Sequence, residues 1–320
     1  MEILLELAGD HPDLPFLELD LIGSIRERAP QVAVVDCRFP EEIQRLALTH
    51  AAMEFLGSCP AGRADIATFL EGLSLSSGKP FSCRVHRVPG TAMDAASAEL
   101  ERIIGSKIKG RVDLSHPEEE FRAVVSGSRC YLGRVIWRGD PGRFSRRRPG
   151  DRPFFHPGVM MPRMVRALVN ISCARRGERL LDPFCGTGGM VLEASLVGIR
   201  AVGSDRDPFM ARGSRRNVHG EDIVLAEAGA LPFTSSSFDA VVTDLPYGQS
   251  VSIYASGLGD LISRSMKEVV RVLKPGRRAV IVCNRAICGL PADDLELVAS
   301  CPQRVHRSLT RYIHVFERKG

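Results

Sequence analysis

The sequence predicts an α/β fold: a doubly wound parallel sheet in the C-terminal half, preceded by smaller α+β modules. Three observations carry this. Strand-like and helix-like segments alternate from about residue 160 to residue 316, and such alternation means parallel strands joined by helical crossovers. A glycine-rich turn, Asp182-Pro-Phe-Cys-Gly-Thr-Gly-Gly189, falls between one strand and the next helix. The elements before residue 140 are short and mixed, and a stretch rich in Gly, Pro and Arg separates them from the rest.

The elements follow in order. ILLELAG is a strand, and apolar residues at Leu14, Leu17, Leu21, Ile22 and Ile25 predict a helix over 14–28. Gln31 to Val35 is a buried strand, 41–48 a helix and 50–56 a strand. Residues 63–72 are helical, 80–88 alternate like a strand, and 94–105 are helical. Glu120–Val125 and Tyr131–Trp137 form a hairpin around Ser126-Gly127-Ser128. In the second half the strands are Arg179–Asp182, Ile199–Asp205, Ile223–Ala226, Phe238–Asp244 and Arg278–Cys283. The helices between them are Gly189–Val197, Pro208–Asn217 and Leu258–Leu273, the last closed by Lys274-Pro275-Gly276.

A length of 320 residues suits two or three domains. With 44 % hydrophobic and 25 % charged residues the chain has ordinary globular composition, which excludes a disordered or collagen-like protein. Every long apolar run is broken by Asp, Glu or Arg, so no membrane span is expected. The N-terminus is acidic and lacks a positive leader region, so a cytoplasmic protein is expected. Nine scattered cysteines point to a reducing compartment rather than a disulfide framework. Cys283, Cys288 and Cys301 lie near His306 and His314, but without metal-ligand spacing; they read as buried thiols, and no metal is expected. Nothing demands an oligomer, so a monomer is expected.

The net charge is +5. Arg134, Arg138, Arg143, Arg146, Arg147, Arg148 and Arg152 against Asp140 and Asp151 give the same +5 locally, so one stretch holds the whole excess. Its Gly and Pro content reads as an exposed linker. Arg143, Arg146, Arg147, Arg148 and Arg152 are there the candidates for gripping phosphates, because the guanidinium fork binds them bidentately.

The turn from Asp182 to Gly189 lets backbone approach a ligand closely, and a nucleotide-type cofactor is the natural guest. A dinucleotide fingerprint would need a third glycine where Val191 stands, which disfavours a nicotinamide enzyme. Seventeen residues after Gly188 the next strand ends at Asp205, whose carboxylate can accept both hydroxyls of a ribose. Glu227, after the third strand, can accept a proton of an adenine amino group. Asp244-Leu-Pro-Tyr-Gly248 closes the fourth strand. Because ligands on such sheets bind beyond the carboxyl ends of the strands, Asp182, Asp205, Glu227 and Asp244 should ring one crevice. The Asp244 carboxylate and the Leu245 carbonyl, ahead of Pro246, can accept both hydrogens of a planar amino group on which Tyr247 stacks. Two fixed acceptors favour the pyramidal, more nucleophilic nitrogen of a transition state.

These motifs resemble those of S-adenosylmethionine-dependent amino-methyltransferases, whose pattern after strand four is (D/N/S)-P-P-(Y/F/W). Val112-Asp113-Leu114-Ser-His-Pro117, with the hairpin to Tyr131-Leu-Gly133, resembles the end of a THUMP domain, an RNA-binding module. Arg152-Pro-Phe-Phe-His-Pro-Gly158, Met161-Pro162-Arg163 and Arg166-Ala-Leu-Val-Asn170 are similar to the segment that opens the catalytic domain of the archaeal tRNA guanine-10 N2-methyltransferases. The resemblance covers about residues 60–316; residues 1–56 match more weakly, as the ferredoxin-like domain that accompanies THUMP.

The resemblance implies a Rossmann-like methyltransferase domain over 159–320, a ferredoxin-like domain over 1–58, a THUMP domain over 59–140 and a basic linker over 141–158. It implies S-adenosylmethionine as cofactor, held by Asp182, Pro183, Cys185, Gly186, Thr187, Gly188, Asp205, Arg206, Glu227, Ala228 and Asp244, with His156 closing over it. It implies tRNA as substrate, gripped by its phosphates, with a guanine turned out of its stack and its N2 methylated once and then again. Asp244, Leu245, Pro246 and Tyr247 would act on that amino group. The chain departs from the pattern at Leu245, where the family has Pro; the carbonyl is kept and the lost ring is expected to loosen the turn. Adenine N6 in DNA or RNA is an alternative target, since both are conjugated amines. A non-catalytic RNA-binding protein is the alternative of another class.

Overall fold

The computed structural model describes the chain except residues 94, 219–221, 247–256, 285–293 and 308. It divides into two compact units, Met1–Asp140 and Pro141–Gly320.

In the first unit the strands are β1 (Glu2–Leu7), β2 (Gly23–Ala29), β3 (Val32–Cys37), β4 (Thr49–Pro60), β5 (Leu75–Ser76), β6 (Phe81–Arg87), β7 (Ile108–Lys109), β8 (Glu119–Ser126) and β9 (Arg129–Arg138). The helices are α1 (Leu14–Glu18), α2 (Arg63–Glu71) and α3 (Ser97–Ser106). Seven strands form one sheet in the order β2-β3-β1-β4-β9-β8-β6, antiparallel except for β6 on β8; β5 and β7 pair separately. β1 shows why the sheet is layered on both faces. Ile3, Leu5 and Leu7 enter one core with Phe16, Leu19 and Leu21, while Leu4 enters another with Met53, Val124 and Tyr131. A strand that is apolar on both sides must be central and covered twice. A third core gathers Ile66 and Leu70 of α2, Leu100 and Ile104 of α3, and Phe81 and Phe121, whose rings meet edge to face at 5.6 Å. The domain boundary expected at residue 58 falls inside β4.

The helix expected over 14–28 is only partly formed. α1 and a 3-10 turn occupy Leu14–Leu21, and then the chain pairs as β2. Gly23 permits this, because a Cβ there would sit 2.0 Å from the Asp36 carbonyl oxygen on β3. Edge pairing overrides the helical spacing. Likewise 41–48 is a short 3-10 helix, Pro40–Arg45.

The second unit opens with α4 (Gly142–Ser145) and α5 (Pro162–Ile171). It continues through β10 (Arg179–Asp182), α6 (Gly189–Ser195), β11 (Arg200–Asp205), α7 (Pro208–Ser214), β12 (Asp222–Leu225), β13 (Phe238–Asp244), α8 (Gly257–Val272), β14 (Leu273–Cys283), β15 (Leu295–His306) and β16 (Leu309–Arg318). The sheet order is β12-β11-β10-β13-β14-β16-β15. The first five strands are parallel, and β16 is antiparallel to both of its neighbours. The chain runs outward from β10 to β12 and then returns to β13 on the other side of β10. The carboxyl ends of β10 and β13 therefore flank the point where the winding reverses, which is where a doubly wound sheet leaves a crevice.

The basic stretch is not an exposed linker. Phe144, Pro149 and Phe154 are buried in the second unit, and Arg147 and Arg152 are half-buried, because this segment packs against the unit it precedes. Arg134 and Arg138 belong to β9 and pair with Glu54 and Glu120.

Gly203 fixes how closely β11 approaches the glycine-rich turn: a Cβ there would lie 2.8 to 2.9 Å from Ile223, Cys185 and Val191. Gly203→Ala is expected to lower stability by about 1–3 kcal/mol through overpacking; urea unfolding of the parent and the variant measures it, and an unchanged midpoint would mean that the neighbouring side chains yield freely.

Candidate active site

β10 delivers Asp182 to the crevice, and the turn that follows has to reverse direction without side chains in the way. Gly186 (φ +51°) and Gly188 (φ +79°) adopt left-handed backbone, and Gly188 caps α6. A Cβ on Gly188 would press on Val218 and Ser214 at 3.2 and 3.3 Å. Asp205, closing β11, accepts a hydrogen bond from the Gly186 N–H at 3.0 Å and another from the Asp207 N–H at 2.9 Å. The carboxylate expected to hold a ribose thus also sets the shape of the turn.

A cavity of about 160 Å³ opens at this point. His156, Asp182, Cys185, Gly186, Thr187 and Asp244, all expected at the site, line it together with Gly189 and Met210. Pro183 and Gly188 build the same turn. Arg206 is exposed, and Ala228 is buried beyond β12. Glu227 does not line the cavity; it pairs with Arg264 of α8 at 3.1 Å. Pro246 is half-buried, and Tyr247 lies outside the described residues.

Asp182 is buried, and its Oδ1 accepts from the Thr243 hydroxyl at 2.7 Å and the Phe184 N–H at 3.2 Å. Burial lifts its pKa to about 7, with Asp244 and Asp205 adding to the rise against these two hydrogen bonds. Burial, helped by Asp182 and Asp205, holds the Cys185 thiol well above its ordinary value, so it stays neutral and lines rather than reacts.

Leu245 corrects one expectation. Its N–H donates to the Val282 carbonyl on β14 at 2.8 Å, and its side chain is buried in the core with Phe238, Met266 and Ile281. A proline has no such donor, so the anchor to β14 offsets the missing ring.

Two residues escaped the sequence reading. Asn217 is buried and joins the segment before the cavity to the glycine-rich turn: its Oδ1 accepts from Phe154 N–H at 2.9 Å, and its Nδ2 donates to the carbonyls of Phe154 (2.7 Å) and Thr187 (2.9 Å). In the sequence it reads only as a helix end. Glu193 is fully buried on α6 between Arg147 (2.9 and 3.1 Å) and Arg166 (2.8 Å). A lone acid within Met190-Val-Leu-Glu-Ala194 was its signal. Arg147 is therefore committed inside the unit, whereas Arg146 and Arg148 are exposed.

Among the described residues no group of three His, Cys, Asp or Glu is arranged to hold a metal ion; Cys283, Cys301 and His314 are buried, and Cys288 lies outside those residues. No described helix is long and apolar enough to cross a membrane.

Residues 149–288 match the family described as RMKL-like, methyltransferase domain. A tRNA (guanine(10)-N2)-dimethyltransferase of Methanothermobacter thermautotrophicus is 34 % identical over 342 residues, spanning 99 % of this chain and 100 % of the relative. The chain belongs to the family of these dimethyltransferases. The corresponding protein of Pyrococcus abyssi is 31 % identical, with 98 % of each chain covered. The crystal structure of TrmN from Thermus thermophilus aligns with 99 % of this chain and 100 % of its own, at a TM-score of 0.53 and 21 % identity, and shares the fold. The chain is thus a methyltransferase, and its cofactor is S-adenosylmethionine. The cavity fits that group: a glycine cradle for close backbone approach, a carboxylate ending β11 for hydroxyls, and acids for an ammonium.

The raised pKa of Asp182 has a sign that can be tested. The folded methyltransferase holds a proton up to about pH 7 that the unfolded chain releases near its ordinary 3.8. The contribution of Asp182 to stability is therefore complete below about pH 4 and is lost as the pH rises through about 7. In urea unfolding across this range the parent is expected to lose stability relative to Asp182→Asn; a difference that does not vary with pH would exclude the raised value.

Proposed function

We propose that this enzyme methylates the N2 amino group of the guanine at position 10 of tRNA, first to the monomethyl and then to the dimethyl product, as a cytoplasmic monomer. The observation that carries the reading is the placement of Asp244 at the end of β13, on the same cavity as the glycine-rich turn after β10.

Asp182, the 183–188 turn, Asp205, Glu227 with Ala228, and Arg206 would hold the cofactor, with His156 over it. When bound, S-adenosylmethionine supplies an electrophilic methyl group. The Asp244 carboxylate and the Leu245 carbonyl accept the two hydrogens of the guanine amino group. Both acceptors are held before substrate arrives, Leu245 through its bond to β14, so orienting them costs little during reaction. That drives nitrogen lone-pair density out of the ring and toward the reacting side. Asp244 then takes the proton that the nitrogen sheds. Pro246 fixes the turn, and Tyr247 stacks on the flipped base.

Arg143, Arg146 and Arg148 serve the tRNA backbone. The first unit supplies further RNA contacts, with residues 59–140 as a THUMP-type module and 1–58 as a ferredoxin-like one. The likeness of Val112–Pro117 to the end of a THUMP domain supports RNA over DNA as substrate.

Incubation of unmodified tRNA with labelled cofactor, followed by nucleoside digestion and mass analysis, tests the proposal. The expected products are N2-methylguanosine and N2,N2-dimethylguanosine mapped to position 10, and Asp244→Ala is expected to lose about 100-fold or more in rate. N6-methyladenosine in place of these products would establish the adenine alternative, and undiminished transfer by Asp244→Ala would refute the site.

Replacing Arg146 and Arg148 by Ala is expected to weaken tRNA binding and to flatten the salt dependence of log K by about one unit for each phosphate that is no longer neutralised. Arg147→Ala is expected instead to lower stability by about 1–3 kcal/mol, because it strips a partner from buried Glu193. Filter binding across a salt series and thermal unfolding separate the two effects.

A further inference from the structure

Arg152 turns its guanidinium inward. Nε donates to the Arg147 carbonyl at 3.2 Å. Nη1 and Nη2 are closed off from solvent, and among the described residues neither has a hydrogen-bond partner. The acid that acts on this cation is Glu193, and Glu193 is already taken on both oxygens, by Arg147 and by Arg166. Three arginines share one carboxylate, so the cluster carries two positive charges in excess. Burial and the neighbouring Arg147 lower the pKa of Arg152, yet an arginine stays charged at any pH a cell reaches. An uncompensated cation withdrawn from water is costly, and the cost is recovered when an anion joins it.

The surroundings say which anion. Arg152 Nη1 lies 3.4 Å from the point that a Cβ on Gly189 would occupy, and Gly189 lines the cofactor cavity. Four residues after Arg152, the segment beginning at His156 also lines it. The cavity's own acids, Asp182 and Asp244, suit the ammonium of an amino acid and repel its carboxylate. An RNA phosphate would have to reach the guanidinium from solvent, which Nη1 and Nη2 do not meet.

We propose that Arg152 is a cofactor-binding residue that receives the α-carboxylate of the methionine part of S-adenosylmethionine from the Gly189 side of the cavity. The planar fork suits a carboxylate bidentately. The proposal rests on the cofactor reading above and moves Arg152 from the phosphate ligands to the cofactor.

S-adenosylhomocysteine and 5′-methylthioadenosine share the adenosine part and differ in the amino-acid tail, so they isolate this contact. Their binding is measured by calorimetry on the full chain for the parent, Arg152→Gln and Arg152→Lys. Loss of a charge-assisted pair is expected to weaken S-adenosylhomocysteine about 10- to 100-fold in Arg152→Gln, to leave 5′-methylthioadenosine within about twofold, and to be partly recovered in Arg152→Lys. An equal loss for both ligands would make Arg152 a structural residue and overturn the proposal. So would unchanged S-adenosylhomocysteine binding combined with weakened tRNA binding, which would return Arg152 to the RNA backbone. A parent that binds neither ligand would refute the cofactor reading itself, so the two failures differ. Melting temperatures check the fold, and if Arg152→Gln does not fold, Arg152→Lys carries the same comparison.

Discussion

The close passage of backbone between β10, β11 and α6 governs the second unit. Residues 183–188 must turn sharply beneath a neighbouring strand, and this works only because positions 186, 188 and 203 carry no side chain. The turn is then held from three sides. Asp205 takes the Gly186 N–H, Asn217 takes the Thr187 carbonyl, and Ser204 supplies the carbonyl for the Cys185 N–H. The cavity, the burial of Asp182 and the approach of Asp244 all depend on that geometry.

Charge is distributed around the cavity with a clear division. Carboxylates gather at the ends of β10, β11 and β13, close enough that Asp244 and Asp205 help keep Asp182 partly protonated near neutral pH. Arginines gather behind α6, where Glu193 neutralises only part of their charge. A zwitterionic amino acid placed between two such groups has its ammonium and its carboxylate oriented before chemistry begins. Preorganisation of this kind lowers the barrier without requiring the protein to rearrange.

The motifs that were legible in advance are those whose chemistry is local. Gly186 and Gly188 stand in a strand-to-helix turn because any other residue would be strained there, and Asp182, Asp205 and Asp244 end strands whose apolar runs are visible in the sequence. Residues defined by partners far along the chain were not legible. Asn217 bonds to Phe154, 63 positions away, and Glu193 to Arg147, 46 positions away. The basic stretch misled for the same reason: its composition resembles a solvated linker, and only packing of Phe144 and Phe154 reveals that Arg147 and Arg152 face inward.

The sequence by itself determined the order of strands and helices, the winding of the second unit and the acids at its crevice, because periodicity, turn chemistry and capping act over a few neighbouring residues. Tertiary structure alone decided that the first unit forms a single seven-stranded sheet, that Gly23–Ala29 pairs as an edge strand, that Leu245 is tied to β14, and which arginines meet solvent. Those outcomes depend on which distant segments compete for the same hydrogen bonds and the same buried volume, and that competition is settled only when the chain is closed in three dimensions.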